Sequence, residues 1–167
     1  MKEHHYRVRI DWTGNDGMGT KAYKGYRRDH TIACDGKPPI PGSSDPNFRG
    51  DATRYNPEEL LVGSLSSCHM LWYLHLCALN HVSVEGYQDQ ASGILQENED
   101  GSGSFVRVRL NPRVTISSGD RAKALALHEE AHRFCFIAKS INFPVEVVAE
   151  VVPKIAKEPA LRPDGNA

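Results

Sequence analysis

The sequence predicts an α+β fold, with a mainly antiparallel sheet and two central helices packed against it. Three observations carry that expectation. Short segments alternate apolar and polar residues with the period of a strand. Two longer segments repeat apolar residues with the period of a helix. The order then runs strands, long helix, long strands, helix, strand. A chain of 167 residues is most simply one domain, expected over 1–152, with a poorly ordered tail over 153–167.

The first strand is expected from Tyr6 to Trp12, with Tyr6, Val8, Ile10 and Trp12 on one face and Arg7, Arg9 and Asp11 on the other. Gly14-Asn15-Asp16-Gly17 follows as a turn signal, and short strands continue to about Cys34. Asp35 to Tyr55 is rich in Pro, Gly, Ser and Asp and is expected to form an irregular loop, suited to a lid or a binding loop. The first helix opens at Asn56 as N-cap, with Pro57 in the first turn and Glu59 placed to close a capping box, and runs to about Leu79. Ser104 to Ile116 is expected as one long strand. Val106, Val108, Leu110, Val114 and Ile116 face inward, and Arg107, Arg109, Asn111 and Arg113 form a solvated face. A second helix is expected from Asp120 to Ser140 and a last strand from Val145 to Val152.

Composition narrows the function. A net charge of −1 argues against a general nucleic-acid binder. No apolar run reaches the ~20 residues of a membrane span, so no membrane partner is expected. No signal-peptide core follows Met1, so the expected location is cytoplasmic. In that reducing setting the four cysteines at 34, 68, 77 and 135 are not read as a disulfide framework, and no CxxC motif is present.

Cys68 and Cys135 lie on different predicted helices, an arrangement that suits an attacking and a resolving thiol; the alternative is two ordinary core cysteines. Leu61, Leu65, Cys68, Trp72, His75 and Leu79 share one face of the first helix. His128, Ala131, His132, Cys135 and Ala138 share one face of the second. Cys77 lies half a turn away from Cys68 and, with Cys34, reads as structural. A buried thiol needs a cation to become a thiolate. Arg27, Arg28, Arg49 and Arg54 are the candidates upstream, and Glu58 could orient one of them. Glu58 and Cys68 stand about 15 Å apart along an unbroken helix. A shared site therefore requires a break near Gly63-Ser64 or a second chain. The rival chemistry is a metal site of His128, His132 and Cys135, completed by Cys68 or His69.

At Asn56-Pro57-Glu58-Glu59-Leu60-Leu61, the small-residue stretch ending in Ser67-Cys68, His132-x-x-Cys135 and Asn142-Phe143-Pro144-Val145, the chain resembles the OsmC/Ohr family of organic hydroperoxide reductases. The resemblance covers roughly residues 6 to 152. It implies an intertwined α+β homodimer with sites at the subunit interface, a peroxidatic Cys68, a resolving Cys135 and an activating Arg–Glu pair. Glu58 carries over directly. Arg49, on the loop upstream of the Asn-Pro-Glu motif, is the matching arginine, with Arg28 and Arg54 as alternatives. The implied activity is a thiol peroxidase of the antioxidant stress response. It would reduce small organic hydroperoxides through a Cys68–Cys135 disulfide, with an external dithiol, of lipoyl type, as reductant and no cofactor or metal. Leu65, Trp72 and Phe134 are the expected apolar wall for substrate. Family members often carry Cys-Pro at the resolving position, where this chain has Cys135-Phe136. The runner-up is a non-catalytic ligand-binding or stress-related dimer of the same fold.

Overall fold

The computed structural model describes residues 2–154. The chain forms two compact units, Met1–Ser64 and Leu65–Ala167. Helix α1, Pro57–Leu79, begins in the first and ends in the second.

In the first unit β1 (Arg9–Trp12), β2 (His30–Ala33) and β3 (Ile40–Gly42) make an antiparallel sheet in that order. The β1 strand is shorter than the alternation suggests and exposed on both faces; Ile10 is 58% exposed. The expected half-buried face is therefore open to solvent in this chain. The segment read as an irregular loop is built instead. Its β3 pairs with β2, and a 3-10 turn at Pro46–Phe48 is capped by Asp45, whose side chain accepts from the Asn47 N–H at 2.7 Å. The Gly50 N–H donates to the Asp45 carbonyl at 3.0 Å. No larger residue fits there, because a Cβ on Gly50 would stand 1.5 Å from the Ser44 carbonyl oxygen. Asp29, buried, holds this unit together from below its surface. Its carboxylate pairs with Arg27, accepts from the Ser43 hydroxyl at 3.3 Å and lies 3.8 Å from Arg54.

Both ends of α1 are chemically closed. The Asn56 side chain accepts from the Glu59 N–H at 2.7 Å, and Glu59 accepts from the Asn56 N–H at 3.1 Å, the expected capping box. At the other end His81 adopts a left-handed φ of 57°, and the Val82 N–H returns to the Cys77 carbonyl at 3.0 Å. The helix runs unbroken through Gly63-Ser64. By length and composition alone α1 could cross a membrane, contrary to the reading that no run approaches that length. Core helices meet the same test, and its buried residues Tyr73, Leu76 and Cys77 join the core of the second unit.

That core lies between the helices and the sheet β4 (Ser83–Asp89), β7 (Pro112–Ser118) and β9 (Glu150–Pro153), ordered β4-β7-β9. Val114, Ile116 and Val151 from the sheet meet Ala124, Leu127 and Ala131 from α2 (Arg121–Phe134). Each large apolar side chain so buried contributes about 1.5–3 kcal/mol relative to exposure. A second sheet, β5 (Ser92–Glu97), β6 (Gly103–Leu110) and β8 (Val145–Val147), is ordered β5-β6-β8.

The expected long strand from Ser104 to Ile116 is thus two strands in different sheets, parted at Asn111. Its inward alternation survives the change of partner through Val108, Leu110, Pro112, Val114 and Ile116, but Val106 is exposed. The expected last strand is likewise two. β8 pairs parallel with β6, and β9 pairs parallel with β7, so the sheets are mixed rather than purely antiparallel. Arg109 pairs with Glu146 and Arg113 with Glu150 across those parallel registers, which makes the arginine face a ladder of exposed ion pairs. Pro153 belongs to β9, and the rest of the expected tail from 155 lies outside the described residues.

Candidate active site

Cys68 lies in the middle of α1 and is partly buried; Cys135 is almost fully buried. Both belong to the second unit, and the Cys68 thiol lies near enough to Cys135 to act on its protonation. Both are free thiols. Helical phase alone left this approach open; the packing of α1 and α2 on one core brings it about.

Cys135 is not inside a helix, as the period through Ala138 suggests. It ends α2 with an extended ψ of 110° and caps α3 (Phe136–Lys139). Its sulfur accepts from the Ala138 N–H at 3.4 Å. A sulfur facing backbone N–H groups is favoured as thiolate, but here burial is the larger effect. It pushes the Cys135 pKa up to about 11, and the neighbouring Cys68 thiol adds to the rise. At rest Cys135 is a thiol.

The buried face of α1 is also turned by about one residue from the expected one. Leu65, His69, Tyr73, Leu76 and Cys77 are buried, whereas Leu79 is exposed and Cys68 and Trp72 lie on the flank. This rotation gives Cys68 partial access to solvent. Leu65 is fully buried and offers no wall to a ligand. Trp72 and Phe134 do come together, stacked with ring centroids 5.2 Å apart, and Phe136 meets Trp72 edge-on at 5.5 Å. Phe136 was not singled out by sequence reasoning; its position beside Cys135 and a helix of aromatic partners was the available signal. Arg133 lies 5.1 Å over the Phe134 ring.

The four arginines and Glu58 lie in the first unit, and their surroundings differ. Arg27 bonds Asp16 at 2.9 Å and pairs with Asp29. Arg54 lies 3.4 Å from Asp51 and 3.8 Å from Asp29. Arg28 is held by the Tyr26 and Tyr23 carbonyls at 2.6 and 2.9 Å, with its guanidinium over both rings. Arg49 takes a left-handed φ of 66° at the end of the 3-10 turn and has no carboxylate partner among the described residues. Glu58 has no ion pair among the described residues either. With α1 unbroken, Glu58 and Cys68 of one chain stand about 15 Å apart.

Below the thiols lies a feature that residue spacing did not expose. His69 Nε2 and His128 Nδ1 are 3.0 Å apart, and both rings are buried. The rings stack at 5.3 Å, and His128 stacks in turn on Tyr73 at 3.8 Å. Burial holds His69 down to about 4 and His128 down to about 3, so both rings are neutral at pH 7. His132 is lowered by burial and by Lys139. The His128, His132 and Cys135 stripe exists, but no group of three or more His, Cys, Asp or Glu among the described residues is arranged to hold a metal ion. The Leu65-His69-Tyr73 spacing of four was the signal for a buried histidine.

Comparison with known proteins agrees with this architecture. An OsmC-like protein of unknown function from Vibrio cholerae shares 34% identity and superimposes with a TM-score of 0.76, covering 91% of this chain and all of that one. The uncharacterized protein YmaD of Bacillus subtilis (strain 168) is 24% identical over 162 residues, 95% of this chain and the whole of that protein. The organic hydroperoxide resistance protein OhrB of Bacillus subtilis shares the fold at 22% identity and a TM-score of 0.55, covering 88% of this chain and 98% of that one. Residues 50–150, the stretch that carries Glu58, both thiols and most of the second unit, match the OsmC-like protein family, and the chain belongs to that family.

Proposed function

We propose that this chain is a thiol-dependent peroxidase that reduces organic hydroperoxides to alcohols. The closeness of the Cys68 and Cys135 thiols carries the reading: one is partly accessible, and the other is buried near enough to feel it. The shared fold of a hydroperoxide resistance protein supports the substrate class. Trp72, Phe134 and Phe136 present an aromatic surface suited to an apolar peroxide substituent.

In the cycle, the Cys68 thiolate attacks the terminal oxygen of ROOH. The O–O bond breaks, RO⁻ takes a proton and leaves as the alcohol, and Cys68 becomes a sulfenic acid. The Cys135 thiolate then attacks that sulfur and water leaves. An external dithiol, lipoyl-type in this reading, reduces the resulting disulfide and is itself oxidised. Arg49 supplies the positive charge that favours the Cys68 thiolate, and Glu58 orients it. Since α1 is continuous, Glu58 serves the Cys68 of a second chain, and the working form is a homodimer. The exposed Tyr6, Val8 and Ile10 on and beside β1 suit burial in such an assembly.

The test is thiol loss under cumene hydroperoxide in wild type, Cys68→Ser and Cys135→Ser. Wild type should lose two thiols to a Cys68–Cys135 disulfide, and Cys135→Ser should stop at a sulfenic acid. A Cys68→Ser protein that consumes peroxide at the wild-type rate removes Cys68 as nucleophile. The unpaired state of Glu58 among the described residues favours one rival, a non-catalytic ligand-binding dimer; an unchanged thiol count would select it.

A further inference from the structure

The stretch of α1 that carries Cys68 is tied down just before and just after it. Two residues before, the Ser66 hydroxyl donates to Asp89 Oδ2 at 2.6 Å. Asp89 Oδ1 in turn accepts the Asn111 N–H at 2.7 Å, where β6 passes into β7. One residue after, His69 Nε2 and His128 Nδ1 share a hydrogen bond of 3.0 Å. His128 stands on α2 seven residues before Cys135, about 10.5 Å along the axis. The bond between the rings therefore joins the neighbour of one thiol to the helix that ends at the other.

As a source of stability alone this pair is poorly built. His69 is fully buried and His128 is 3% exposed, yet His69 Nδ1 and His128 Nε2 have no hydrogen-bond partner among the described residues. A buried polar atom left unpaired costs more than one hydrogen bond returns, and two nitrogens are unpaired here for one bond made. Two apolar side chains of similar size would fill the space without that cost. What they would lack is direction. A hydrogen bond holds its partners at a set distance and angle, whereas apolar packing tolerates a slide or a turn. The rings are nearly parallel, 8° apart, and Tyr73, one turn further along α1, stacks on His128 at 3.8 Å.

We propose that His69 and His128 are positioning residues for the thiol pair. Their hydrogen bond fixes the rotation of α1 against α2, and with it the approach of the Cys68 and Cys135 sulfurs. Cys68 and His69 are consecutive residues of one unbroken helix, so the turn that seats His69 on His128 also decides where Cys68 points. A disulfide demands such control, because its two Cα atoms must come within about 4.4–6.8 Å at a set torsion. This role rests on the pairing of the two thiols in the peroxidase reading, and not on peroxide as the oxidant.

The experiment equilibrates the full chain with reduced and oxidised glutathione and measures the Cys68–Cys135 disulfide by peptide mapping after acid quench. Two thiols give up two protons and two electrons, the protein S–S bond forms, and one glutathione disulfide becomes two glutathiones. His69→Met with His128→Leu removes the tie and keeps the space apolar. His69→Gln with His128→Asn places amides where the paired Nε2 and Nδ1 stood. The apolar pair should lower the equilibrium constant for the disulfide about three- to tenfold, the net worth of one hydrogen bond. The amide pair should restore most of that loss. A merely structural role would change the urea midpoint of the reduced protein and leave the equilibrium constant alone.

Reciprocity supplies a second measurement, on wild type alone. Closing the disulfide should slow exchange of the proton shared by the two rings about three- to tenfold, read by long-range proton–nitrogen NMR. An unchanged equilibrium constant in the apolar pair, an equal fall in both pairs, or equal proton exchange in both redox states would each overturn the proposal. The wild-type exchange decides it even if a variant does not fold. A wild type that forms no Cys68–Cys135 disulfide would overturn this role and the peroxidase reading together. A disulfide that forms in glutathione, in a protein that leaves cumene hydroperoxide unconsumed, would overturn the peroxidase reading alone.

Discussion

Lowering the pH from 7 to 5 should destabilise this protein well before its carboxylates titrate, and the cause is the His69–His128 pair. Each ring has an ordinary pKa of 6.5 that burial holds to about 4 and about 3 in the folded chain. The unfolded state therefore binds more protons between those values, and stability falls as pH falls through that window. One pKa unit is worth about 1.4 kcal/mol, so a single imidazole costs about 2 kcal/mol of stability by pH 5. Two independent rings would cost about 4 kcal/mol. The real loss lies between these limits, because the first imidazolium formed can still donate to the neutral ring across their 3.0 Å contact. Against a total stability of about 5–15 kcal/mol this is large. Asp16, Asp51, Glu85, Asp100 and Glu146 are held below their ordinary values of 3.8 or 4.5, so their contributions are lost below pH 5 and not between pH 7 and 5. Urea unfolding at pH 7 and pH 5 reads the effect directly: with a slope near 2 kcal/mol per molar, the midpoint should drop by about 1–2 M. His132, also lowered by burial, adds a drop of the same sign, so equal midpoints, or a drop that stays undiminished when His69 and His128 are both replaced by glutamine, would refute the assignment.

Two further outcomes follow from the thiols and from the length of α1. Because Cys135 is held up to about 11, the step that forms the disulfide should accelerate about tenfold per pH unit between pH 7 and 9. Single-turnover Trp fluorescence after one equivalent of peroxide checks this, and a flat profile would place the Cys135 proton elsewhere. If Glu58 serves the Cys68 of a second chain, Glu58→Gln and Cys68→Ser proteins should each be inactive yet complement when unfolded and refolded together. Random pairing leaves one intact site in half of the dimers, or about a quarter of wild-type peroxidase activity. Complementation that fails with both variants well folded and dimeric would mean that each chain builds its site alone.

What the residues announced, they announced locally. The capping box at Asn56 and Glu59 needs only four consecutive residues, and the structure forms it as spaced. What escaped depends on partners distant in sequence. Alternation from Val108 to Ile116 is continuous, so periodicity cannot show that Asn111 hands the chain from one sheet to another. The β3 strand sits in a Pro- and Gly-rich segment and exists because β2 pairs with it. The break at Cys135 has neither Gly nor Pro to mark it, and the helical stripe continues in phase across it.

The same distinction governs the site. Residue type and order pointed to Cys68 and Cys135, but their closeness rests on how α1 and α2 share one core. The turn of α1 by one residue matters most. It puts His69, not Cys68, against His128, so the deepest position on that face holds an imidazole and the thiol is left at the flank. Had Cys68 taken the His69 position, burial would raise its pKa as it does for Cys77. A nucleophile needs the opposite. The buried histidine pair and the accessible thiol are thus two consequences of one helix rotation, and a substitution that restored the expected phase would cost both.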